Sequence, residues 1–342
     1  MSAAAKEVSK EALHLRTPLV LSKPLSERVG VKTYLKLDNL QPTGSFKVRG
    51  MGAATQRAKE RGCSRLVSSS GGNAGLATAY CGNVLNLRTT VVLPTTASEN
   101  AKRKVASLGA EVVVEGGQWS ESNSFAEGLV AESESSGDKA VLIHPFYGED
   151  IWEGNSTLVD EIAEQLPAGV KPSAILASVG GGGLLMGILQ GLRKRGWRED
   201  VKVLACETFG ANALALSLEK KERVEIAITS VAKSLGADKI GEDILKECFD
   251  PGYDLEPFVA TDEEAVGSCF KFALDHGMLV EPSCGAALSP IYYHSERVRE
   301  LAKGEDKCIV VEVCGGGAFN SIETLQAYAE QLGLDLNGDK II

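Results

Sequence analysis

Short, β-branched apolar runs alternate along this chain with longer stretches of helical period. Such runs occur at 65–68, 89–93, 111–114, 140–143, 174–178, 202–206 and 308–313. Runs this short and this continuously apolar predict strands covered on both faces. Between them, residues 100–108, 156–165 and 263–275 carry apolar positions at helical spacing. The alternation predicts an α/β fold of parallel sheets with helices on both faces. Glycine and proline punctuation at 41–44 and 144–148 brackets one stretch of the chain. It predicts a small domain at 41–145 inserted into a larger one made of 1–40 and 146–342. No internal repeat or low-complexity linker breaks the pattern, and the tail after Leu332 is expected to be peripheral.

Composition narrows the class. A chain of 342 residues with 44% hydrophobic and 24% charged residues is ordinary for a globular protein of two domains. A net charge of −10 argues against a nucleic-acid partner, because phosphate binding needs a clustered positive surface. No apolar stretch is long enough for a membrane span. The opening MSAAAKEVSKEALHLRTP mixes acids and bases without an apolar core, so no secretory signal is expected and a cytoplasmic location is. Eight scattered cysteines without a CxxC pair fit reduced thiols rather than a disulfide framework. The four histidines lie far apart, which leaves a His/Cys metal site without a basis.

Three glycine clusters follow strand-like runs. They are Ser68-Ser69-Ser70-Gly71-Gly72-Asn73-Ala74-Gly75, Gly180-Gly181-Gly182-Gly183 and Cys314-Gly315-Gly316-Gly317, followed by helical patterns at 76–84, 184–193 and 321–332. Glycines at a strand-to-helix turn let backbone N–H groups converge on an anion, where the helix dipole also favours negative charge. Tight turns alone would explain one such cluster more easily than three. The P-loop pattern is absent, and the dinucleotide fingerprint is matched only loosely by Gly180 to Gly183 with Gly187 and Glu207. Four consecutive glycines suit a single phosphate monoester better, although a nicotinamide-dependent oxidoreductase stays open.

A fourth feature is Gly44-Ser45-Phe46-Lys47-Val48-Arg49-Gly50. A lysine that forms Schiff bases must be deprotonated part of the time, which needs burial or a neighbouring cation. Phe46 and Val48 supply an apolar setting, and Arg49 is expected to add the neighbouring charge. Alone, the motif is also what an exposed lysine opening a helix looks like.

Taken in order, these segments resemble the fold-type II pyridoxal-phosphate (PLP) enzymes, which are tryptophan synthase β-like, and among them the L-serine dehydratases. The resemblance runs from Thr17-Pro18-Leu19 to about Leu332, through LQPTGSFKVRG, SSSGGNAG, SVGGGGLL, ETFGA, TSVAKSLGA, EPSCGAAL and VCGGG. It implies two open, twisted parallel-sheet domains and β-elimination of L-serine to pyruvate and ammonia, with activity on L-threonine as well. It implies that Lys47 holds PLP as a Schiff base and removes the substrate α-proton. The β-hydroxyl would then leave, with the cofactor phosphate as the candidate proton donor. Phe46 would pack on one face of the ring and Ser234 lie near the other, with Asn73 on the ring 3-oxygen. Gly180, Gly181, Gly182, Gly183 and Leu184 would hold the phosphate, and Cys314 with Gly315 would face the ring nitrogen. Ser69, Ser70, Gly71, Asn73 and Ala74 would receive the substrate carboxylate. A homodimer acting on a small amino acid is implied too.

Two residues discriminate among relatives. A thiol at Cys314 is a weak, neutral donor, so the ring nitrogen would lack the full charge a carboxylate sustains. That favours elimination over racemisation or transamination. In serine racemases the residue at the Gly71 position is a serine acting on the opposite cofactor face, and Gly71 has no side chain. The resemblance also implies a monovalent cation, potassium, held by Glu207 with main-chain oxygens of Gly180, Ala211, Leu235 and Ala237. Relatives that bind divalent ions carry a further acid where this chain has Ala213, and one carboxylate with carbonyls suits potassium. Threonine dehydratase, serine racemase, threonine synthase and cysteine synthase activities stay open as siblings, as does a non-catalytic metabolite-binding module that keeps the fold.

Overall fold

The structure is a computed structural model that describes residues 11–302, 307–317 and 321–335. Residues 336–342 of the tail, and the first ten residues of the opening segment, lie outside them. In chain order, β1 (Leu19–Ser22), α1 (Lys23–Val29), β2 (Lys32–Lys36) and α2 (Lys47–Glu60) come first. Next are β3 (Arg65–Ser68), α3 (Asn73–Leu85), β4 (Arg88–Leu93), α4 (Glu99–Ser107), β5 (Glu111–Val114), α5 (Trp119–Ser136) and β6 (Ala140–Leu142). The chain continues through α6 (Glu149–Gln165), β7 (Ala174–Ser178), α7 (Gly183–Arg195), β8 (Lys202–Thr208), α8 (Ala213–Lys220), α9 (Glu242–Cys248) and β9 (Leu255–Ala260). It closes with α10 (Asp262–His276), α11 (Pro282–Tyr293), α12 (Ser295–Leu301), β10 (Cys308–Glu312) and α13 (Ile322–Gln331). No described helix is long and apolar enough to cross a membrane.

Two sheets result. One has six strands in the order β1-β2-β10-β7-β8-β9, and the other has four in the order β5-β4-β3-β6. Every pairing is parallel except β1 with β2, where Leu19 lies opposite Lys36 in antiparallel register. The two parallel sheets expected from the sequence are present, and the larger carries one antiparallel strand at its edge. Only residues 23–31 separate β1 from β2, and a parallel crossover needs a dozen residues or more.

The six-stranded sheet is apolar on both faces because its central strands are. All five residues of β7 and all five of β10 are buried. Successive side chains of a strand point to opposite faces, so Ile175 packs with Met51, Leu158 and Ile188 on one side, while Leu176 packs with Leu25, Phe272 and Leu288 on the other. Helices α2, α6 and α7 cover the first face; α1, α10 and α11 cover the second. The carboxyl ends of β3, β6, β7, β8 and β10 each feed a loop, the position at which open α/β sheets bind ligands.

One buried polar cluster fixes α2 at that end. Arg49 is fully buried and donates to Asp38 at 2.7 and 2.8 Å, to Glu161 at 2.7 and 2.9 Å, and to Thr17 Oγ1 at 3.1 Å. Lys36, buried on β2, donates to Glu161 at 2.5 Å, to the Thr17 carbonyl at 2.7 Å and to Gln165 at 2.8 Å. Two cations thus meet two carboxylates, and the hydrogen bonds satisfy them nearly completely, the condition under which buried charge is tolerated.

Candidate active site

Lys47 is the first residue of α2, two positions before Arg49 on the same anchored helix. Its Nζ donates to the Pro145 carbonyl at 2.6 Å and lies 5.0 Å from the Phe46 ring centre and 6.0 Å from that of Phe146. Burial pulls its pKa from the ordinary 10.5 to about 8, against the opposing pull of Cys314 and Glu281. Of the two contributions expected, the apolar setting acts and the Arg49 charge does not. That guanidinium is neutralised by Asp38 and Glu161, and desolvation acts in its place. A lysine near 8 is deprotonated often enough at neutral pH to act as nucleophile and base.

The Gly180-to-Gly183 segment links β7 to α7. Among the described residues, none of the backbone N–H groups of Gly180, Gly181, Gly182, Gly183 and Leu184 finds an acceptor. The first amides of a helix have no intrahelical partner, and here they stand beside the positive end of α7's dipole. Gly182 is in the left-handed region at φ 88°, which a side chain strains to adopt. At Gly181 a Cβ would sit 2.4 Å from the Phe146 ring, so the loop lies flat against that ring. The donor set fits a phosphate group, and the lysine fits an aldehyde. These residues therefore suit PLP, with the segment from Gly180 to Leu184 on the phosphate and Lys47 on the carbonyl carbon.

A second row of amides opens α3. The N–H groups of Ser70, Gly71 and Ala74 find no acceptor among the described residues, whereas Gly72 N donates to Ser70 Oγ at 3.3 Å. Ser69 Oγ donates to Asn123 at 2.7 Å, so it steadies the loop from behind. Gly75 is needed for close approach: a Cβ there would fall 1.7 Å from the Ser70 carbonyl oxygen. Gly71 is different, since its Cβ would meet only a Leu93 methyl at 3.0 Å. This end of α3 fits a carboxylate.

Asn73 joins the two sheets across the site. Its Nδ2 donates to Glu281 Oε1 at 3.0 Å and approaches Ser234 Oγ at 3.3 Å. Glu281, the residue before α11, carried no role in the sequence-based expectation, and neither did Pro145 or Phe146. The loop after β6 could have been flagged by the rule that ligands gather at strand carboxyl ends. Nothing local marks Glu281, which lies 208 positions from Asn73.

The third glycine cluster does not act as an anion loop. Gly316 N is already bonded to the Gly44 carbonyl at 2.9 Å. A Cβ at Gly315 would strike the Gly44 carbonyl oxygen at 2.0 Å, and one at Gly316 the Glu281 side chain at 2.5 Å. These glycines admit the turn carrying Phe46 and the Glu281 carboxyl. Phe46 N in turn donates to the Cys314 carbonyl at 3.1 Å. The Cys314 thiol is held well above its ordinary pKa, first by its hydrogen bond with Cys284 and then by burial, and it lies 3.9 Å from Ser178 Oγ. It is a neutral thiol.

Glu207 lies within β8, paired with Val259 of β9, and both oxygens of its buried carboxyl are used: Oε1 accepts from Leu214 N at 3.0 Å and Oε2 from Ala215 N at 2.8 Å. Burial lifts its pKa to about 8, with those two amides opposing. Gly180 packs against Leu235, its Cβ position 3.0 Å from the Leu235 Cα. Ala237 N occupies the Leu235 carbonyl at 2.7 Å, while the carbonyls of Gly180, Ala211 and Ala237 accept nothing among the described residues.

Comparison with known proteins places this geometry. The profile of the family described as pyridoxal-phosphate dependent enzyme matches residues 11–315. An L-serine dehydratase/L-threonine deaminase of Mus musculus is 41% identical over 334 residues, covering 96% of this chain and 98% of that protein. An L-serine dehydratase of Dictyostelium discoideum is 40% identical over 324 residues, covering 91% and 90%. The crystal structure of a fungal L-serine ammonia-lyase from Rhizomucor miehei superposes with a TM-score of 0.84 at 32% identity, covering 94% of this chain and 99% of that one. A half-buried lysine at the mouth of α2 and a row of free amides at α7 suit such a cofactor, and with the family match the nicotinamide alternative falls away. The chain belongs to the pyridoxal-phosphate-dependent enzyme family.

Proposed function

We propose that the chain eliminates water from L-serine, yielding pyruvate and ammonia, and acts on L-threonine in the same way. The observation that carries this reading is Lys47 Nζ, near pKa 8, in one site with the free amides of α7 and with a neutral thiol at Cys314. The likeness to serine dehydratases at about 40% identity over nearly the whole chain supports the choice of substrate.

Bound PLP supplies an electron sink conjugated to the substrate Cα. The amides from Gly180 to Leu184 would hold its phosphate, Phe46 and Ser234 would lie on the two faces of its ring, and Asn73 would donate to the ring oxygen. Free N–H groups at the start of α3 take the substrate carboxylate and so aim the Cα–H bond. Lys47 removes that proton. Cys314, being neutral, gives the ring nitrogen no compensating anion, which suits a reaction whose charge drains away at once with the β-hydroxyl. Gly71 offers no group to return a proton from the other face, which opposes racemisation.

A potassium ion beside Glu207 belongs to the same proposal. A carboxylate lifted to about 8 by burial gains most from a cation, and three nearby carbonyls have no donor among the described residues. A homodimer is supported by the free edge of β1, where Val20 and Leu21 are exposed. Eight free thiols support a cytoplasmic setting.

The test is direct. The purified protein should absorb in the near-visible when supplied with PLP, and borohydride should attach the cofactor to Lys47. L-Serine should give pyruvate, faster in potassium than in sodium. A colourless protein that retains no PLP would sink the reading, and D-serine as the main product would replace it with racemisation.

A further inference from the structure

We propose that Glu281 is a positioning residue: it fixes the Asn73 side-chain amide so that an N–H, and not the carbonyl, faces the cofactor ring oxygen. The inference rests on the proposed PLP chemistry and deepens it.

A side-chain amide has two nearly isosteric ends, and only its partners decide which end points where. Asn73 is buried at the first turn of α3, and its Nδ2 faces Glu281 Oε1 at 3.0 Å. An ionised carboxylate oxygen at that distance excludes the flipped amide, which would set two acceptors face to face. The NH2 group has a second hydrogen. Its present neighbour, Ser234 Oγ, is at the longer distance of 3.3 Å, so this hydrogen is the one left for the ring oxygen.

Glu281 is well placed for this and for little else. It is 2% exposed, and among the described residues its Oε2 has no hydrogen-bond partner. Gly316 leaves room for it, since any Cβ there would overlap its Cγ. A buried carboxyl with an unpartnered oxygen destabilises the fold by roughly 1–3 kcal/mol, so a purely structural position would be better filled by an apolar residue. Burial raises its pKa to about 7, and Ser234, Asn73, Lys47 and Lys104 pull the other way. The remaining titratable groups facing it are Cys269 on α10, Cys314 after β10 and Tyr328 on α13.

The experiment uses the PLP-loaded enzyme and the variants Glu281→Gln, Asn73→Ala and their double. Glu281→Gln should still bind PLP, but with a shifted near-visible maximum and an altered pH dependence of that band. Its kcat should fall about ten-fold with KM within about two-fold, and one limb of the kcat pH profile near neutrality should vanish. Because Glu281 acts through Asn73, the double variant should be no slower than Asn73→Ala alone. Wild-type band, pH profile and kcat in Glu281→Gln would overturn the inference, as would losses that multiply in the double variant. If Glu281→Gln is insoluble, Glu281→Asp carries the comparison: it keeps the acceptor at shorter reach, so a lowered kcat with the pH limb retained is expected, and wild-type kcat overturns the inference. A wild-type protein that never takes up PLP would strike the proposed function itself, a distinguishable result.

Discussion

The Nζ of Lys47 is held by the carbonyl of Pro145, 98 positions further along the chain, at 2.6 Å. A neutral main-chain oxygen cannot compensate an ammonium as a carboxylate would, so burial dominates and the pKa falls to about 8. The apoenzyme therefore carries a destabilising charge below that pH. The unfolded chain keeps its proton up to about 10.4, so between these values it binds more protons than the folded one, and stability rises with pH. Lys47→Met should remove the effect. Without cofactor at pH 7 it should be more stable than the wild type by roughly 3 kcal/mol in urea unfolding, a gap that closes above pH 10. A variant less stable at every pH would show that Lys47 is held by attraction.

Gly71 and Gly75 differ in what surrounds them, and substitutions should separate them. Gly75→Ala places a methyl 1.7 Å from the Ser70 carbonyl oxygen, on backbone that cannot yield cheaply. The α3 amides would lose their alignment, and kcat/KM for serine should fall by about a hundred-fold or more. Gly71→Ser meets one flexible Leu93 methyl and should fold normally. It places a hydroxyl where the wild type has none. Chiral analysis of residual serine should then reveal D-serine at low yield alongside pyruvate, and its complete absence would count against the two-face argument.

Much of this layout was legible because it is local. The runs at 65–68 and 174–178 coincide with β3 and β7, since a strand buried on both faces announces itself by continuous apolar residues. The run at 111–114 coincides with β5, an edge strand whose residues are half-buried or exposed, so there the β-branched run was the signal and the expected cover on both faces is corrected. Lys47 and Gly180 to Gly183 stood out for the same reason, each embedded in a compact motif. What was missed depends on distant partners. β9 contains Pro257, which weakens any strand reading, and it survives as a strand because it lies at the sheet edge. β2 carries lysines at both ends, and Lys36 is buried only because Glu161 comes to it from α6. Arg49 looked like a neighbour that would tune Lys47, but Asp38 and Glu161 had a prior claim on it. Glu281 gives no local sign at all, because the amide it orients reaches it from the other sheet.

The neutrality of Cys314 makes a prediction about exchange at that position. Cys314→Ser keeps a weak neutral donor of similar size, so pyruvate formation should stay within about ten-fold of the wild type. Cys314→Asp would bury a carboxylate beside Glu281 and Glu312, both of them already raised by desolvation. It should lower thermal stability, and whatever activity survives should show an increased share of transamination, measured as loss of the near-visible band during turnover. A Cys314→Asp enzyme with unchanged product partition would mean that the group at this position does not govern the ring.

Arg49 offers the clearest stability test, because the cluster it completes is buried and its sign is known. Its hydrogen bonds hold Glu161 well below the ordinary carboxylate range despite burial, with His14 and Lys36 assisting. A group whose folded pKa is depressed contributes stability above its unfolded value of about 4.3 and loses it as pH falls toward the folded value. Wild-type stability should therefore drop on acidification below about pH 5 with a contribution from Glu161. Arg49→Met keeps the length of the side chain and removes the cation, which leaves Asp38 without its bidentate partner and Glu161 with Lys36 alone among the fully buried cations. Breaking one side of a buried pair typically costs 3–5 kcal/mol, and a loss of about that size is expected at pH 7. The loss should shrink at pH 4, where the orphaned carboxyls can take up protons. A loss independent of pH would assign Arg49 a packing role and shift the anchoring of Lys47 onto the apolar contacts of α2.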